Sequence, residues 1–203
     1  MERSQYILAF TGASGAPYGL KLLSELLKRD SCVDTAITPA ALLILKEEVD
    51  LTINSAEDIL NYLNKSYKGN HKGKFTLHAH DDLTSPLASG SSLNKKMIIA
   101  PCSMGSLARI ATGVSSNLIE RAADCVIKEA GELVLVPRET PLSPIHLENM
   151  LKLSRIDVQI VPAMPAFYNA PKSIEDMVDF VVGKVLDALR IENDLYKRWS
   201  GES

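Results

Sequence analysis

The residues with the clearest chemical meaning lie near the start of the chain, in the glycine-rich segment Thr11–Gly19. An uncharged run, Tyr6–Phe10, precedes this segment, and a leucine-rich run, Leu20–Leu27, follows it. This order is typical of a buried strand, a tight turn and a helix. A helix N-terminus presents free N–H groups and about half a positive charge. The segment therefore predicts an anion site, most often one for a phosphate.

The spacing of the glycines argues against a dinucleotide. Gly12, Gly15 and Gly19 give G-x-x-G-x-x-x-G, whereas the NAD fingerprint requires G-x-G-x-x-G and an acidic residue about 20 positions later. The next apolar run, Cys32–Thr38, ends in a hydroxyl instead of a carboxylate. A mononucleotide therefore fits better. The alternative is a turn without a ligand, because a tight strand-to-helix turn often needs glycine for its own backbone.

A second strand-to-helix turn carries small and hydroxyl residues. The apolar run Met97–Ala100 is followed by Pro101–Ser106 and then by a helical pattern, Leu107–Ala111. In an open parallel sheet both turns lie at the carboxyl ends of the strands, where ligands bind. The hydroxyls of Ser103 and Ser106 suit a phosphate or the edge of a flavin. The alternative is that they only cap the helix.

Charged side chains could complete such a site. Arg121 and Lys128 are seven positions apart, so they project from one face of a helix, either as a solvated surface or as an anion site. Arg138 and Glu139 follow the buried strand Leu133–Pro137. Because they come at the carboxyl end of that strand, we expect them to point into the crevice.

Two further candidate residues lie in the C-terminal part of the chain. Tyr168 follows a loop in which Pro162 and Pro165 fix an extended backbone, so its phenol has a rigid support. Lys184 lies outside the apolar stripe of a helix that Ser173 caps. For a single lysine of this kind, a place on the surface is the ordinary alternative.

The elements that must position these residues alternate along the chain. Nearly continuous apolar strands, each followed by a helical pattern, predict one doubly wound parallel α/β sheet, with residues 1–203 as a single domain. Ser55 and Asp58 have the spacing of a capping box, and Gly131 is expected to cap the end of a helix. The segment Lys65–Ser92 is too long for a plain connector and is interpreted as a functional loop or as partly extended.

Composition narrows the function classes. The chain has 203 residues, of which 46% are hydrophobic and 23% charged, as in an ordinary globular domain. A net charge of −3 provides no basic surface for nucleic acid. The apolar runs are too short for a membrane span, and the first residues do not have the pattern of a signal peptide. Three widely spaced cysteines indicate neither disulfides nor zinc. We therefore expect a cytoplasmic protein.

Three histidines lie in the long segment. The pattern His78-x-His80, next to Asp81 and Asp82, only suggests a metal site, because such a site needs three or four ligands in fixed geometry. We interpret these two histidines and His71 as solvated loop residues. None is expected in a turn at the end of a strand.

Several segments, occurring in the right order, resemble the flavin prenyltransferases (the UbiX-type family) over nearly the whole chain. These segments are Thr11–Gly19, Leu87–Ser91, Ala100–Ser106, Asn117–Asp124, Val136–Ser143, Ile145–Met150 and Pro162–Tyr168. Together they are far more specific than any single glycine turn.

The resemblance implies a flavodoxin-like fold that binds FMN without covalent attachment and forms a homo-oligomer, typically a dodecamer with sites at subunit contacts. It implies a metal-independent reaction of dimethylallyl monophosphate with reduced FMN, in which N5 attacks C1′, phosphate leaves and the prenyl double bond closes onto C6. It also implies that the prenylated FMN serves a UbiD-type decarboxylase, in keeping with ubiquinone biosynthesis.

The resemblance also implies roles for individual residues. The residues that would hold FMN are Gly12, Ala13, Ser14, Thr38, Ser103, Met104, Gly105, Ser106 and Arg138. The residues that would hold dimethylallyl phosphate are Arg121, Lys128, Glu139, Tyr168 and Lys184. The residues that would act in catalysis are Ser14, Glu48, Glu139 and Tyr168. Of these, Ser14 and Glu48 would lie near the reacting edge of the flavin.

The chain departs from the family pattern at a few positions. Thr38 stands where many relatives have Ser, and Lys184 where many have Arg. Both residues keep a hydrogen-bond donor, although lysine cannot form the planar fork of arginine. The segment Glu129–Glu132 is less basic than usual, which leaves a weaker positive field around Lys128.

Two other functions remain open at this point. An FMN-dependent cysteine decarboxylase would share the fold and the flavin, but it would need a catalytic histidine beside the flavin. A flavin carrier without chemistry would use the cations only as surface residues. A carrier would bind FMN and leave its mass unchanged, whereas a cysteine decarboxylase would release carbon dioxide from a peptidyl-cysteine substrate.

Overall fold

The computed structural model describes residues 3–90 and 96–199. The strands of its central sheet are β1 (Gln5–Phe10), β2 (Cys32–Ile37), β3 (Lys74–His78), β4 (Lys96–Cys102), β5 (Glu132–Pro137) and β6 (Gln159–Ile160). All neighbouring strands are parallel, in the order β3-β2-β1-β4-β5-β6. Without the edge strand β3 this is the flavodoxin order, and the winding reverses between β1 and β4. The predicted flavodoxin-like α/β sheet is confirmed.

Helices cover both faces of the sheet. The helices of the described residues are α1 (Ala16–Lys28), α2 (Pro39–Val49), α3 (Ala56–Ser66), α4 (Met104–Ala111), α5 (Leu118–Lys128), α6 (Pro144–Ser154) and α7 (Ile174–Ala188). One face packs against α1, α2, α3 and α7, and the opposite face packs against α4, α5 and α6. The helices that carry different site residues are therefore separated by the sheet.

The central strand β1 explains why the strands are continuously apolar. Leu8 and Phe10 belong to the apolar cluster on one face, while Ile7 and Ala9 belong to the cluster on the other face. A large apolar side chain gains about 1.5–3 kcal/mol when it is fully buried. Since β1 is buried on both faces, no polar alternation remains in its sequence.

The edge strand β3 lies within the long segment Lys65–Ser92, which is therefore partly extended. Its five residues include charged and polar side chains and are only half-buried, so the sequence gives a weak strand pattern. A short 3₁₀ turn, Pro86–Ala88, follows β3. Ser91, the last residue of the family segment Leu87–Ser91, lies outside the described residues.

Predicted helix ends are confirmed at some positions and shifted at others. The capping box of Ser55 and Asp58 is present at the start of α3. The predicted cap at Gly131 is wrong by one position, because Ala130 has the positive φ of 53° and the Gly131 N–H donates to Val126 at 2.8 Å. Within the described part of the chain, we find no helix with the length and apolar character needed to cross a membrane.

Candidate active site

Thr11 joins the two strand-to-helix turns. Its hydroxyl donates to the carbonyl of Pro101 at 3.0 Å and accepts from the backbone nitrogen of Ser103 at 2.7 Å. The backbone nitrogen of Thr11 donates to the same carbonyl at 3.2 Å. The two turns therefore lie side by side at the carboxyl ends of β1 and β4, where ligands bind in open α/β sheets. This is the shared crevice that the sequence predicted.

The N-terminus of α1, where the sequence predicted an anion, is filled by a carboxylate of the chain itself. The backbone nitrogen of Gly15 donates to both oxygens of Glu48, at 2.9 and 3.1 Å, and that of Ala16 donates at 2.8 Å. Gly15 has a φ of 121°, which favours glycine. Because Glu48 already binds these donors, a phosphate has to find its donors at another helix.

A cleft of about 490 Å³ opens beside the joined turns, within the size range of small-molecule sites. Its walls are formed by Gly12, Thr38, Pro39, Ala40, His80, Ser103, Ser106, Arg109, Ser116 and Asn117. Four of these residues belong to the predicted FMN set, namely Gly12, Thr38, Ser103 and Ser106. The fold therefore brings together residues from both turns and from the end of β2.

Close backbone approach shapes one wall of this cleft. A Cβ at Gly12 would lie 2.5 Å from the Cβ of Ala40 at the start of α2, so a larger residue would push the two elements apart. Of the other predicted FMN residues, Ala13 and Met104 are buried, and Gly105 lies in the first turn of α4. These residues contribute backbone groups and apolar side chains, not long polar groups, to the turns.

Three helix N-termini converge on the cleft. Thr38 caps α2, Ser103 caps α4 and Asn117 caps α5, each through a side-chain oxygen that accepts a backbone N–H of its own helix. Each N-terminus contributes about half a positive charge. Their convergence makes this wall favourable for a phosphate. Ser103 therefore caps α4, which was its alternative role, and also lines the cleft.

Arg109 adds a positively charged side chain to the same wall. Its Nε pairs with the carboxylate of Glu120, and its Nη2 lies 3.4 Å from Oγ of Ser106. Glu120 is buried and also accepts hydrogen bonds from the backbone and hydroxyl of Ser116, at 2.9 and 2.6 Å. Burial raises the pKa of Glu120, but the hydrogen bonds from Ser116 and Arg109 lower it below its usual value. The carboxylate is therefore ionised.

Ser14, Glu48 and Arg138 meet near the side chain of Tyr18. Nε of Arg138 donates to the carbonyl of Ser14 at 3.2 Å. Burial raises the pKa of Tyr18, the carboxylate of Glu48 raises it further, and the guanidinium of Arg138 opposes both. These contacts bring two predicted catalytic residues next to a predicted FMN residue at the start of α1.

Tyr168 and Lys184 lie together in an aromatic cluster. The ring of Tyr168 packs edge-on against Phe180 and Trp199, with centroids 5.9 Å apart in both pairs. Nζ of Lys184 lies 5.8 Å from the ring centroid of Phe180 and 5.1 Å from that of Tyr196. A hydrogen bond with Tyr196 raises the pKa of Lys184. The cluster therefore presents a phenol and a stable ammonium group.

The predicted phosphate-binding cations of α5 have separate partners. Nε of Arg121 donates to the carbonyl of Ala88 at 3.1 Å, and its Nη1 pairs with Asp124 at 2.8 Å. Nζ of Lys128 lies 3.3 Å from a carboxylate oxygen of Glu129. Both cations are therefore at least partly neutralised within their own helix and its end.

Glu139 and the predicted substrate-binding residues of α5 and α7 come from different elements of the fold. Glu139 follows β5, is exposed and accepts a hydrogen bond from the backbone of Thr140 at 3.0 Å. Tyr168 packs against Phe180 of α7, and Lys184 belongs to α7, which packs on the opposite face of the sheet from α5. The structure of a single chain thus leaves the five predicted phosphate-binding residues in more than one place.

The histidines differ from the sequence interpretation. His71 lies 2.8 Å from Oγ of Ser24, and Nε2 of His78 lies 2.9 Å from Oδ1 of Asp34, so both are hydrogen-bonded instead of solvated. The reason is the edge strand β3, which places His78 beside β2. His80 lies in a turn two residues after the end of β3 and lines the cleft. The expectation that no histidine occupies a turn at a strand end is therefore wrong.

Neither a metal cluster nor a reactive thiol stands out in residues 3–90 and 96–199. No group of three or more His, Cys, Asp or Glu residues is arranged there to hold a metal ion. Cys102 is buried, and burial raises the pKa of its thiol to about 12. Because the thiolate is the nucleophilic form, Cys102 acts as a buried filler.

Comparison with known proteins identifies the class to which this fold and site belong. Residues 1–186 match the family described as Flavoprotein. A flavin prenyltransferase UbiX from Halalkalibacterium halodurans is 49% identical over 197 residues, which cover 97% of this chain and 94% of the relative. The chain is therefore a flavoprotein, and it belongs to the flavin prenyltransferase (UbiX) family. It is an enzyme of the prenyltransferase class, as the motifs predicted.

Solved structures agree with this assignment. A dodecameric FMN-dependent UbiX-like decarboxylase from Escherichia coli O157:H7 has a TM-score of 0.84 and 41% identity, over 97% of this chain and all of its own. AnUbiX (PadA1), solved with FMN and dimethylallyl pyrophosphate, has a TM-score of 0.86 and 36% identity over the whole of both chains. The peptidyl-cysteine decarboxylase EpiD, with a TM-score of 0.58 and 14% identity, shares only the fold.

Proposed function

We propose that this chain transfers the dimethylallyl group of dimethylallyl monophosphate to N5 and C6 of reduced FMN, without a metal ion. Residues 1–203 would act as one FMN-binding domain, and the prenylated FMN would serve a UbiD-type decarboxylase. One observation carries the flavin part of this proposal: three helix N-termini and a cation border one cleft at the switch point of the sheet. Such an arrangement suits the phosphate of a mononucleotide.

The residues of the cleft fit FMN. The hydroxyls of Thr38, Ser103 and Ser106 would hold its phosphate, together with free N–H groups of the adjacent helices. The turn that carries Ser14, and the side chain of Arg138 that bonds this turn, would hold the isoalloxazine. When bound, reduced FMN supplies the nucleophilic N5 and the carbon C6 for ring closure.

The substrate phosphate would be held by two copies of the chain. Arg121 and Lys128 belong to α5, on one face of the sheet. Lys184 belongs to α7 on the opposite face, and Tyr168 packs against Phe180 of the same helix. A site that needs all four residues is therefore complete only where one subunit meets another. The dodecameric relative supports a homo-oligomer, and we expect the same state here.

The chemistry needs stabilisation of a departing phosphate. As the bond between N5 and C1′ forms, the C1′–O bond breaks and its electron pair stays on the phosphate. Lysine, arginine and tyrosine donors stabilise that charge without a metal ion. Glu139 would relay the proton lost from N5 to the leaving oxygen. On ring closure the prenyl double bond would take up a proton at C2′ as C6 bonds to C3′, and the released phosphate would accept the proton lost from C6.

A coupled assay tests the proposal. The enzyme is incubated anaerobically with reduced FMN, dimethylallyl monophosphate and EDTA, and the filtered small molecules are added to the apo form of a UbiD-type decarboxylase. We expect activation of that decarboxylase. If authentic prenylated FMN activates it and the filtered fraction does not, the proposal is wrong. A parallel reaction with the diphosphate measures which donor is preferred.

One observation, the presence of His80 in the cleft wall, bears on a second function. A cysteine decarboxylase of this fold would use a histidine beside the flavin, and His80 lines the cleft. Release of carbon dioxide from a peptide with a C-terminal cysteine, abolished by His80→Ala, would support that function. Tight FMN binding without any change in the flavin or the peptide would instead indicate a carrier.

A further inference from the structure

Arg109 is the one arginine or lysine among the described residues that line the cleft. The resemblance assigns no role to it. We propose that Arg109 binds the phosphate of FMN, that Glu120 is the positioning residue that orients it, and that the pair makes the site prefer FMN to riboflavin. This inference rests on the proposed function, since it names the side chain that binds the flavin phosphate.

The guanidinium has one edge bound and one edge available. Nε is committed to the carboxylate of Glu120, and Nη2 lies 3.4 Å from Oγ of Ser106, at the long limit of a hydrogen bond. Among the described residues, none accepts a hydrogen bond from Nη1, and the Arg109 side chain is 43% exposed. A phosphate matches the planar donors that remain.

Glu120 is built to hold this orientation. Its side chain is 1% exposed, and one of its oxygens accepts from the backbone and the hydroxyl of Ser116, at 2.9 and 2.6 Å, while the other pairs with Arg109. The backbone nitrogen of Glu120 donates to the cap residue Asn117 at 3.0 Å. Because both oxygens are satisfied inside the protein, Glu120 neutralises part of the arginine charge without entering the cleft.

The charges around the cleft support a dianionic ligand. A phosphate monoester carries a charge of about −1.5 to −2 at pH 7. The N-termini of α2, α4 and α5 each offer about half a positive charge, and Arg109 adds the part of its charge that Glu120 does not neutralise. The other charged helix end nearby, that of α1, is already occupied by Glu48. Riboflavin lacks the phosphate and would gain nothing from Arg109.

Flavin titrations test the inference. Dissociation constants for FMN and riboflavin are measured by fluorescence quenching for the wild type, Arg109→Gln, Arg109→Lys and Glu120→Gln. We expect Arg109→Gln to weaken FMN binding by about 10- to 100-fold, the usual value of a hydrogen bond to a charged group. Riboflavin binding should stay unchanged. Arg109→Lys should retain part of the preference for FMN over riboflavin, and Glu120→Gln should lose part of that preference.

Arg155→Gln removes an exposed arginine at the end of α6 and should leave both constants unchanged. If Arg109→Gln weakens the binding of FMN and of riboflavin equally, or changes neither, Arg109 only links α4 to α5 and the inference is wrong. Failure of the wild type to bind FMN would overturn the proposed function as well. Loss of prenyl transfer with an intact FMN preference would overturn only the proposed function.

Discussion

The carboxylate of Glu48 lies 2.8 Å from the backbone nitrogen of Ala16, although 32 positions separate the two residues. This bond joins the last turn of α2 to the first turn of α1. It neutralises the positive end of α1 with an anion of the protein. In our proposal the flavin phosphate therefore binds at the three N-termini that border the cleft, and Glu48 lies near the turn of Ser14.

Substitution of Glu48 should separate its structural role from its catalytic one. Glu48→Ala leaves the N–H groups of Gly15 and Ala16 without their acceptor, so we expect a loss of about 1 kcal/mol in unfolding free energy. Glu48→Gln keeps an acceptor oxygen and should lose less stability, while prenyl transfer slows by on the order of 10²-fold. Urea unfolding and single-turnover rates measure the two effects. The exposed Glu47→Gln is the control, and full activity of Glu48→Gln would rule out the catalytic role.

Lys128 and Glu139 should affect chemistry more than flavin binding. Neither residue lines the cleft, so Lys128→Ala and Glu139→Gln should leave the dissociation constant for FMN unchanged. Each should slow prenyl transfer by on the order of 10²- to 10³-fold, as expected when a donor to developing charge is removed. Flavin titration and anaerobic single-turnover kinetics check this result. Normal turnover in both variants would refute their roles.

Mixing two inactive variants tests whether the site is shared between subunits. Lys128→Ala and Lys184→Ala should each have little activity. If α5 of one copy and α7 of another form one site, mixed oligomers contain some sites with both lysines intact. Activity should therefore reappear after the two variants are dissociated and reassembled together. Reassembly of each variant alone is the control, and absence of recovery in verified mixed oligomers would show that both lysines come from one chain.

Glu25 should contribute to acid sensitivity. The carboxylate is buried and pairs with Lys28 at 2.9 Å and Arg29 at 2.6 Å. Burial raises the pKa of Glu25, but the two cations lower it below its usual value near 4.5. Since the folded pKa lies below the unfolded one, this stabilisation is present above pH 4.5 and is lost as the pH falls through the folded value.

Glu25→Gln should therefore flatten the acid side of the stability profile. We expect the variant to be less stable than the wild type at pH 7 by on the order of 1 to 2 kcal/mol, and the difference to shrink on acidification. Urea unfolding between pH 3 and pH 7 measures it. The exposed Glu148→Gln should follow the wild type. A constant difference across this range would show that packing, not charge, explains the effect.

Local patterns predicted the parts of the fold that depend on neighbouring residues in sequence. Both turns of the crevice were visible as small-residue segments after apolar runs. They are Thr11–Gly19 and Pro101–Ser106, the second of which follows Met97–Ala100. Burial on both faces made the central strands easy to recognise. The capping box at Ser55 depends only on residues three positions apart, so it was equally visible.

Contacts between distant residues were not visible in those patterns. Nothing near Glu48 indicates that its carboxylate reaches the start of α1, because that contact depends on how two helices pack. Arg109 and His80 were likewise not predicted as cleft residues. Neither belongs to a recognisable motif, and each lines the cleft only because of where the fold places its helix or turn. The sequence pattern of the edge strand β3 is weak because the strand is only half-buried. Without a strand predicted there, the turn that contains His80 could not be predicted either.

The mass of the flavin tests the central claim most directly. The enzyme is mixed anaerobically with reduced FMN and dimethylallyl monophosphate, and the released flavin is analysed by mass spectrometry. Our account predicts a flavin heavier by one C₅H₈ unit, formed together with inorganic phosphate. An unchanged flavin mass, from enzyme that binds FMN and is supplied with intact donor, would contradict it.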